Sequence, residues 1–357
     1  MMASFGEVFE DVTKCGRKIP TTSYAKCGLY PIIDQGQIDI AGYTNETEGL
    51  YENVPAIVFG DHTRAIKYVD RPCFLGADGV KLLKAKIPDA NHRYLYYVLK
   101  NARIPNTGYN RHFKWLKELE IPLPDAQTQT DIVGILDELE DVLSLRKQQL
   151  AKLDELVKSR FIELFISKGY ATKTVDEVSL GKGEYGAQSA STEYDPTRPR
   201  YVRITDINDD GTLNEDVVSS INPDDDEQYC LKYGDFMFAR MGATVGKTYA
   251  FITGNQIFAG YLIRYRLNLK LINPRYLFWY TKLDGYWNWV RLNQSGAAQP
   301  GINAKKYGSL QIPVPPIELQ NRFAAFVAEV DKSKLAIQQS LEKLETLKKA
   351  LMQKYFG

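Results

Sequence analysis

At 357 residues the chain has material for two domains of ordinary size, and its 44% hydrophobic and 25% charged residues are those of a soluble globular protein. A net charge of +1 argues against a broadly basic nucleic-acid coat. No apolar run reaches the ~18–20 residues of a membrane span, and four well-separated cysteines (Cys15, Cys27, Cys73, Cys230) argue against a disulfide framework or a zinc site. The opening MMASFGEVFEDVTKCG has neither the basic start nor the apolar core of a signal peptide, so a cytoplasmic location is expected.

Residues 1–124 read as a mixed α/β domain. A short helix is expected over 5–12, with strands over 30–33 and 56–59 between Gly, Asn and Asp turn signals. Aromatic and aliphatic residues at helical spacing predict a helix over 92–101, and 119–123 reads as a closing strand. From Ala126 the period changes. Ile132, Leu136, Leu139, Leu143, Leu150, Leu153, Val157 and Leu164 fall alternately four and three apart, with Arg146 and Arg160 in two slots, which is a heptad seam. Pro122 and Pro124 precede this helix, assigned to 125–168, and Gly169 follows where a left-handed backbone is favoured. Roughly 40 helical residues at ~1.5 Å each make a rod of about 60 Å, and one apolar stripe on such a rod needs a partner.

The second domain, 169–315, repeats the plan. After a short segment at 174–179, strands are expected over 200–207, 235–240, 249–252 and 261–267. Residues 273–291, with Trp279, Trp287 and Trp289, read as one buried helix, 294–306 as a polar glycine-rich loop, and 310–314 as a strand. The final segment, 316–357, is a second long helix with the seam Phe323, Val327, Val330, Ile337, Leu341, Leu344, Leu351 and Tyr355. Residues 121–165 and 312–356 align without a gap at an offset of 191, identical at 12 of 45 positions, among them Pro122/Pro313, Pro124/Pro315, Gln129/Gln320 and Leu156/Leu347. Arg93-Tyr94-Leu95 likewise matches Arg275-Tyr276-Leu277. If the second helix pairs with the first it must run back towards the first domain. The expected fold class is therefore α+β: two pseudo-repeated mixed α/β domains joined by two long helices that form an antiparallel coiled coil.

The motifs of common catalytic chemistries are not met. MGATVGKT at 241–248 has three residues between Gly242 and Gly246 where a phosphate loop has four, and a strand-like sequence follows where a helix is required. It reads as a glycine turn with Lys247 exposed at its tip, an NTPase being the weaker alternative. His62, His92 and His112 have no metal or triad spacing, and Asn273-Pro274-Arg275-Tyr276 does not supply the Asn/Asp-Pro-Pro-aromatic tetrapeptide of base-amino methyltransferases. Residues 206–227 hold nine acidic residues and no basic one, and 224–226 read as a solvated loop rather than a metal site. No catalytic or metal-ligating residue is assigned.

The duplicated order of motifs resembles the specificity (S) subunit of type I restriction–modification systems over essentially the whole chain. PLPDAQTQTDI and PVPPIELQNRF look like the start of that family's conserved regions. LKYGDFMFARMGATVGK and RYVRITDINDDG look like parts of a target-recognition domain, and QSGAAQPGINAKKYGSLQIPVP looks like the loop and strand that close it. YPIIDQGQIDIAGY and AIVFGDHTRA look like a divergent first copy, without the clean Gly-x-x-x-Gly turn.

The resemblance implies a non-catalytic host-defence subunit. Each domain would read half of a split duplex DNA target, and the helices would set the spacing and dock two modification (adenine-N6 methyltransferase) subunits, with two ATP-dependent restriction subunits in a cutting assembly. S-adenosylmethionine, ATP and Mg would belong to those partners, and this chain would bind no cofactor. Residue types suited to phosphates and base edges make Arg64, Lys67, Tyr109, Asn110, Arg111, His112 and Lys114 the expected DNA contacts of the first domain. Those of the second are Arg203, Arg240, Thr244, Lys247, Gln299, Asn303, Lys305 and Lys306. Phe161, Phe326 and Met352 are the expected partner surface on the helices, and the Trp cluster reads as core. A coiled-coil-linked protein adaptor is the alternative that remains open.

Overall fold

The computed structural model describes residues 1–357 apart from 77, 89, 109, 217, 222–226 and 297–299. The chain forms two compact units, Met1–Gln148 with Gln338–Gly357, and Gln149–Ile337. The two long helices, Ala126–Phe161 and Ile317–Phe356, each contribute residues to both units. Among the described residues, no helix is long and apolar enough to cross a membrane.

In the first unit the apolar run at 56–60 becomes the central strand Ala56–Gly60, buried at every residue. Val80–Ala85 and Ile66–Val69 flank it antiparallel, and Phe9–Asp11 lies beyond Val80–Ala85. Because side chains alternate across a strand, the central strand feeds two cores. Ile57 and Phe59 pack with Leu83, the helix His92–Asn101 and the long-helix residues Ile132 and Leu136. Ala56 and Val58 pack on the other side with Tyr51, Val69 and Leu82. Asn91 caps the 92–101 helix by accepting the Tyr94 N–H at 3.0 Å.

The second unit has the same kernel. Asp235–Ala239 is the buried central strand, between Leu262–Arg266 and Thr248–Ala250, with Glu184–Tyr185 at the edge. Phe236 and Phe238 face a core containing Phe161, Phe165, Tyr276 and Phe323, while Met237 and Ala239 face Val202, Tyr249 and Phe258.

Several expectations are corrected. The 5–12 helix is one turn, Phe5–Val8, because Phe9–Asp11 pairs with Val80–Ala85 and takes the chain into the sheet. The 200–207 strand stops at Val202, since Asp206 folds back to accept the Arg203 N–H at 2.9 Å. Residues 273–291 form two helices, Pro274–Tyr280 and Asp284–Asn293. Within the 294–306 segment a short helix, Ala304–Gly308, begins.

The repeat aligned by sequence is matched by repeated contacts. Met2–Ser4 pairs with Glu120–Pro122, and Thr172–Thr174 with Gln311–Pro313, each just ahead of a long helix. The carboxylate of Glu7 accepts the Ser4 N–H and that of Glu177 accepts the Thr174 N–H, both at 2.7 Å, so the strands Met2–Ser4 and Thr172–Thr174 both end in the same cap. Tyr94 Oη donates to the Pro122 carbonyl at 2.9 Å and Tyr276 Oη to that of Pro313 at 2.8 Å. Gln129 Nε2 reaches the Pro124 carbonyl at 2.9 Å and Gln320 Nε2 that of Pro315 at 2.8 Å. The proline-rich entry is thus a fixed elbow from strand into helix.

Within each unit the helices run antiparallel. In the first, Glu140 pairs with Lys348 at 2.6 Å and Lys147 with Glu345 at 3.7 Å. In the second, Asp154 meets Lys334 at 2.5 Å while Phe161 packs on Phe323 at a centroid distance of 5.3 Å. The seam residues Ile132, Leu136, Leu139, Leu143, Val157, Phe323, Val327 and Val330 are buried, whereas Leu150, Leu153, Leu341 and Leu344 are only half-buried. A π turn at Ile162–Ile166 ends the first long helix, and Gly169 takes a φ of +63° in the left-handed region.

Phe161 and Met352, expected on the outer surface, are core residues. They are equivalent positions of the repeat. Phe161 stacks on Tyr276 at 5.3 Å and is fully buried, and Met352 lies in the core of the first unit beside Phe356. The cause is that the C-terminal turns of each long helix plug into a globular core. Phe326 is half-buried, against Phe323.

Candidate nucleic-acid interface

In both units the loop after the central strand is stitched to the segment that leads back to a long helix. In the second unit the central strand delivers Arg240 and Met241 into the turn Gly242–Thr244. The Gly242 N–H donates to the Pro300 carbonyl and the Ile302 N–H to the Arg240 carbonyl, both at 2.9 Å. The chain then enters the strand Thr248–Ala250, so the glycine turn is a strand connection. Gly246 has a φ of +90°, and a Cβ there would lie 2.9 Å from Trp287 and Val290. Its N–H donates to Tyr307 Oη at 3.1 Å and its carbonyl accepts from Tyr286 Oη at 2.7 Å. Both glycines of the turn therefore serve its geometry.

The stitched loops carry a small set of available groups. Arg240 lies over the Tyr185 ring, 4.8 Å from its centroid, and its backbone N–H donates to the Tyr261 carbonyl at 3.0 Å. Tyr185 Oη accepts the Ala304 N–H at 3.2 Å, and Tyr185 and Tyr261 are 40% and 58% exposed. Lys305 is exposed on the first turn of the 304–308 helix. A cleft of about 460 Å³ adjoins this edge, lined by Gln188, Ser189, Arg203, Thr205 and Tyr261.

Other predicted residues of this unit have different work. Asn303 caps the 304–308 helix through the Lys306 N–H at 2.9 Å, and Lys306 Nζ donates to the Asn293 carbonyl at 2.7 Å. Arg203 forks onto Asp206, at 3.0 and 3.1 Å, and Thr244 Oγ1 donates to the Met241 carbonyl at 3.1 Å. Lys247 is not an exposed tip. It is half-buried and turns away to Asp209, at 2.8 Å. The three tryptophans are half-buried and pack against the core, as their reading as core expects. Gln299 and 224–226 lie outside the described residues.

In the first unit Asp61 follows the central strand and does the stitching. Its carbonyl accepts the His112 N–H at 2.8 Å, and its carboxylate accepts the Phe113 N–H at 2.7 Å. His112 is consequently fully buried, with Nδ1 2.9 Å from the same carbonyl, and offers nothing to a ligand. Lys67 is also withdrawn. It is 3% exposed, paired with Asp34 at 3.3 Å, and burial holds its amine below the ordinary lysine range. Arg64 stands at a φ of +62°, rare for a residue with a side chain, and its Nη1 donates to the Ile104 carbonyl at 3.2 Å. This bond brings it to the segment that bears Asn110, Arg111 and Lys114, all three exposed. Tyr109 lies outside the described residues.

Each unit thus presents, on joined loops, exposed cations and amides beside backbone fixed by hydrogen bonds. Such a surface suits a polyanion whose backbone is gripped by cations and whose edges are read by planar groups. The chain matches the Type I restriction modification DNA specificity domain over residues 1–155 and again over 168–348. It belongs to this family.

Relatives within the type I specificity family agree in kind. The chain is 32% identical over 141 residues to the EcoR124I/EcoR124II specificity subunit of Escherichia coli, a match covering 33% of this chain and 34% of that one. It is 24% identical over 168 residues to the MjaVIII specificity subunit of Methanocaldococcus jannaschii, covering 46% of this chain and again 34% of that one. The chain thus spans about a third of the length of the curated relatives it matches. A type I S subunit from M. genitalium has the same fold, with a TM-score of 0.65 over 100% of this chain and 96% of that one at 16% identity. Among the candidate-site residues absent from the sequence-based set are Tyr185 and Tyr261. Their one sequence signal is the excess of tyrosine, 23 residues in all.

Proposed function

We propose that this chain is the DNA-reading subunit of a type I restriction–modification complex. Each unit reads one half of a split duplex target, through Arg64, Asn110, Arg111 and Lys114 in the first and Arg240 and Lys305 in the second. The paired helices set the distance between the halves and dock two modification subunits, and two restriction subunits join when the assembly cuts. S-adenosylmethionine, ATP and Mg reside on those partners.

The observation that carries this reading is duplication. One chain holds two copies of a DNA specificity domain, and repeated elbows connect both copies to the long helices. Two different stitched loops on equal frames suit two different half-sequences. The docking role moves from Phe161 and Met352 to residues on the helices that are exposed. Leu156 and Leu347, identical in the repeat, are each 48% exposed. A leucine kept exposed at equivalent positions suits a surface used twice.

The test is binding by the chain reconstituted with its methyltransferase partner. Affinity for duplex DNA should fall steeply with salt and depend on two separated short sequences. Sequence-independent or absent binding in that complex would overturn the reading in favour of a protein adaptor.

A further inference from the structure

Arg240 is the exception among the buried and half-buried arginines of the second unit. Arg200 pairs with Glu215, Arg203 with Asp206, Arg264 with Glu184 and Asp235, and Arg275 with Asp331. Arg240 has no carboxylate partner among the described residues, and its Nε is buried without a hydrogen bond. A guanidinium drawn out of water without a counter-charge is unfavourable by itself. What holds it is the face of Tyr185, at 4.8 Å, whose hydroxyl is in turn fixed by the Ala304 N–H. The Nη end stays open on the edge where Tyr185 and Tyr261 are exposed.

We propose that Arg240 is the residue by which the second unit reads a guanine, its two Nη groups donating to O6 and N7 of one base while Tyr185 holds the guanidinium in plane. The inference rests on the DNA-reading function proposed above and goes further by assigning a base. A phosphate can be met by a swinging exposed cation such as Lys305. A planar fork clamped on an aromatic ring, with its inner nitrogen buried and only its outer pair free, fits the paired acceptors of a guanine edge. The equivalent position after the first central strand is Asp61, which is spent on internal bonds. The two halves of the target therefore differ in how this position is read.

The experiment uses the whole complex with its methyltransferase partner, on the duplex target identified by mapping methylated adenines. Each guanine of the target is replaced in turn by 7-deazaguanine, which removes only the N7 acceptor. One guanine in one half-site should cost the unaltered complex roughly tenfold in affinity. Arg240→Lys, which keeps the charge but not the fork, should lose the preference for guanine at that one position and be insensitive to the analogue there. Tyr185→Leu should weaken the same preference and no other. Uniform weakening of all sequences by the charge-removing Arg240→Gln, with a shallower salt slope and the guanine preference kept, would overturn the inference in favour of a phosphate contact. Insensitivity of the unaltered complex to every substituted guanine would overturn it without reference to any variant's folding. An unaltered complex with no sequence preference would instead remove the DNA-reading function itself.

Discussion

At the scale of single residues, Gln320 shows how much one polar side chain can hold. It is fully buried, accepts the Asn273 N–H at 2.9 Å, and donates to the carbonyls of Leu271 at 3.0 Å and Pro315 at 2.8 Å. Gln320→Ala strands a buried N–H and two carbonyls, and should lower the stability of the second unit by about 1–3 kcal/mol in urea denaturation. Gln129, half-buried with one such bond, should cost less when replaced. Lys282 provides a pH signature. Burial pulls its amine down from the ordinary 10.5 to about 8, against the opposing pull of Asp210 and Asp209. Between pH 8 and 10.5 the unfolded chain then holds more protons at this site than the folded one, so this residue makes stability rise with pH across that window. Urea midpoints measured at both ends should show a smaller rise in Lys282→Met than in the unaltered chain, and equal rises would contradict the assignment.

At the scale of elements, the long helices separate folding from assembly. Phe161 is fully buried against Phe165, Tyr276 and Phe323, at centroid distances of 4.9, 5.3 and 5.3 Å. Phe161→Ala should destabilise by about 3–5 kcal/mol, read as a lowered denaturation midpoint. Leu156, five residues earlier and 48% exposed, should tolerate Leu156→Asp with a change within about 0.5 kcal/mol. Combined with Leu347→Asp, it should abolish co-purification with the methyltransferase subunit while circular dichroism stays unchanged. Retained assembly would place docking elsewhere. These elements were legible in the sequence where periodicity ran long. The seam from Ile132 to Val157 and the helix His92–Asn101 are local patterns. The 5–12 and 200–207 segments were misread because pairing with Val80–Ala85, or a turn closed by Asp206, outweighed their local preference.

At the scale of the whole molecule, duplication is the organising fact. The family match falls on 1–155 and 168–348, and the same cap, elbow and tyrosine bond occur in both units. If the helices act as spacer, one heptad inserted into each, after Gln148 and after Ile337, should lengthen the gap between the target halves. Both half-sequences should be unchanged when methylated sites are mapped. Altered half-sequences would show that the helices also shape the reading surfaces.

The sequence by itself determined the repeat, the two long helices and the requirement that they pair in opposite directions, because periodicity and duplication are written along the chain. Only the tertiary structure decided which cations are free to act. Lys67 meets Asp34 from 33 residues away, Arg264 meets Glu184 from 80, and His112 is buried by Asp61 from 51. A charge is available or spent according to what the fold sets beside it, and that partner is not a neighbour in sequence. By the same rule Arg240, one basic residue among 45 in the chain, stands out only once the fold leaves it on Tyr185 with no acid beside it among the described residues.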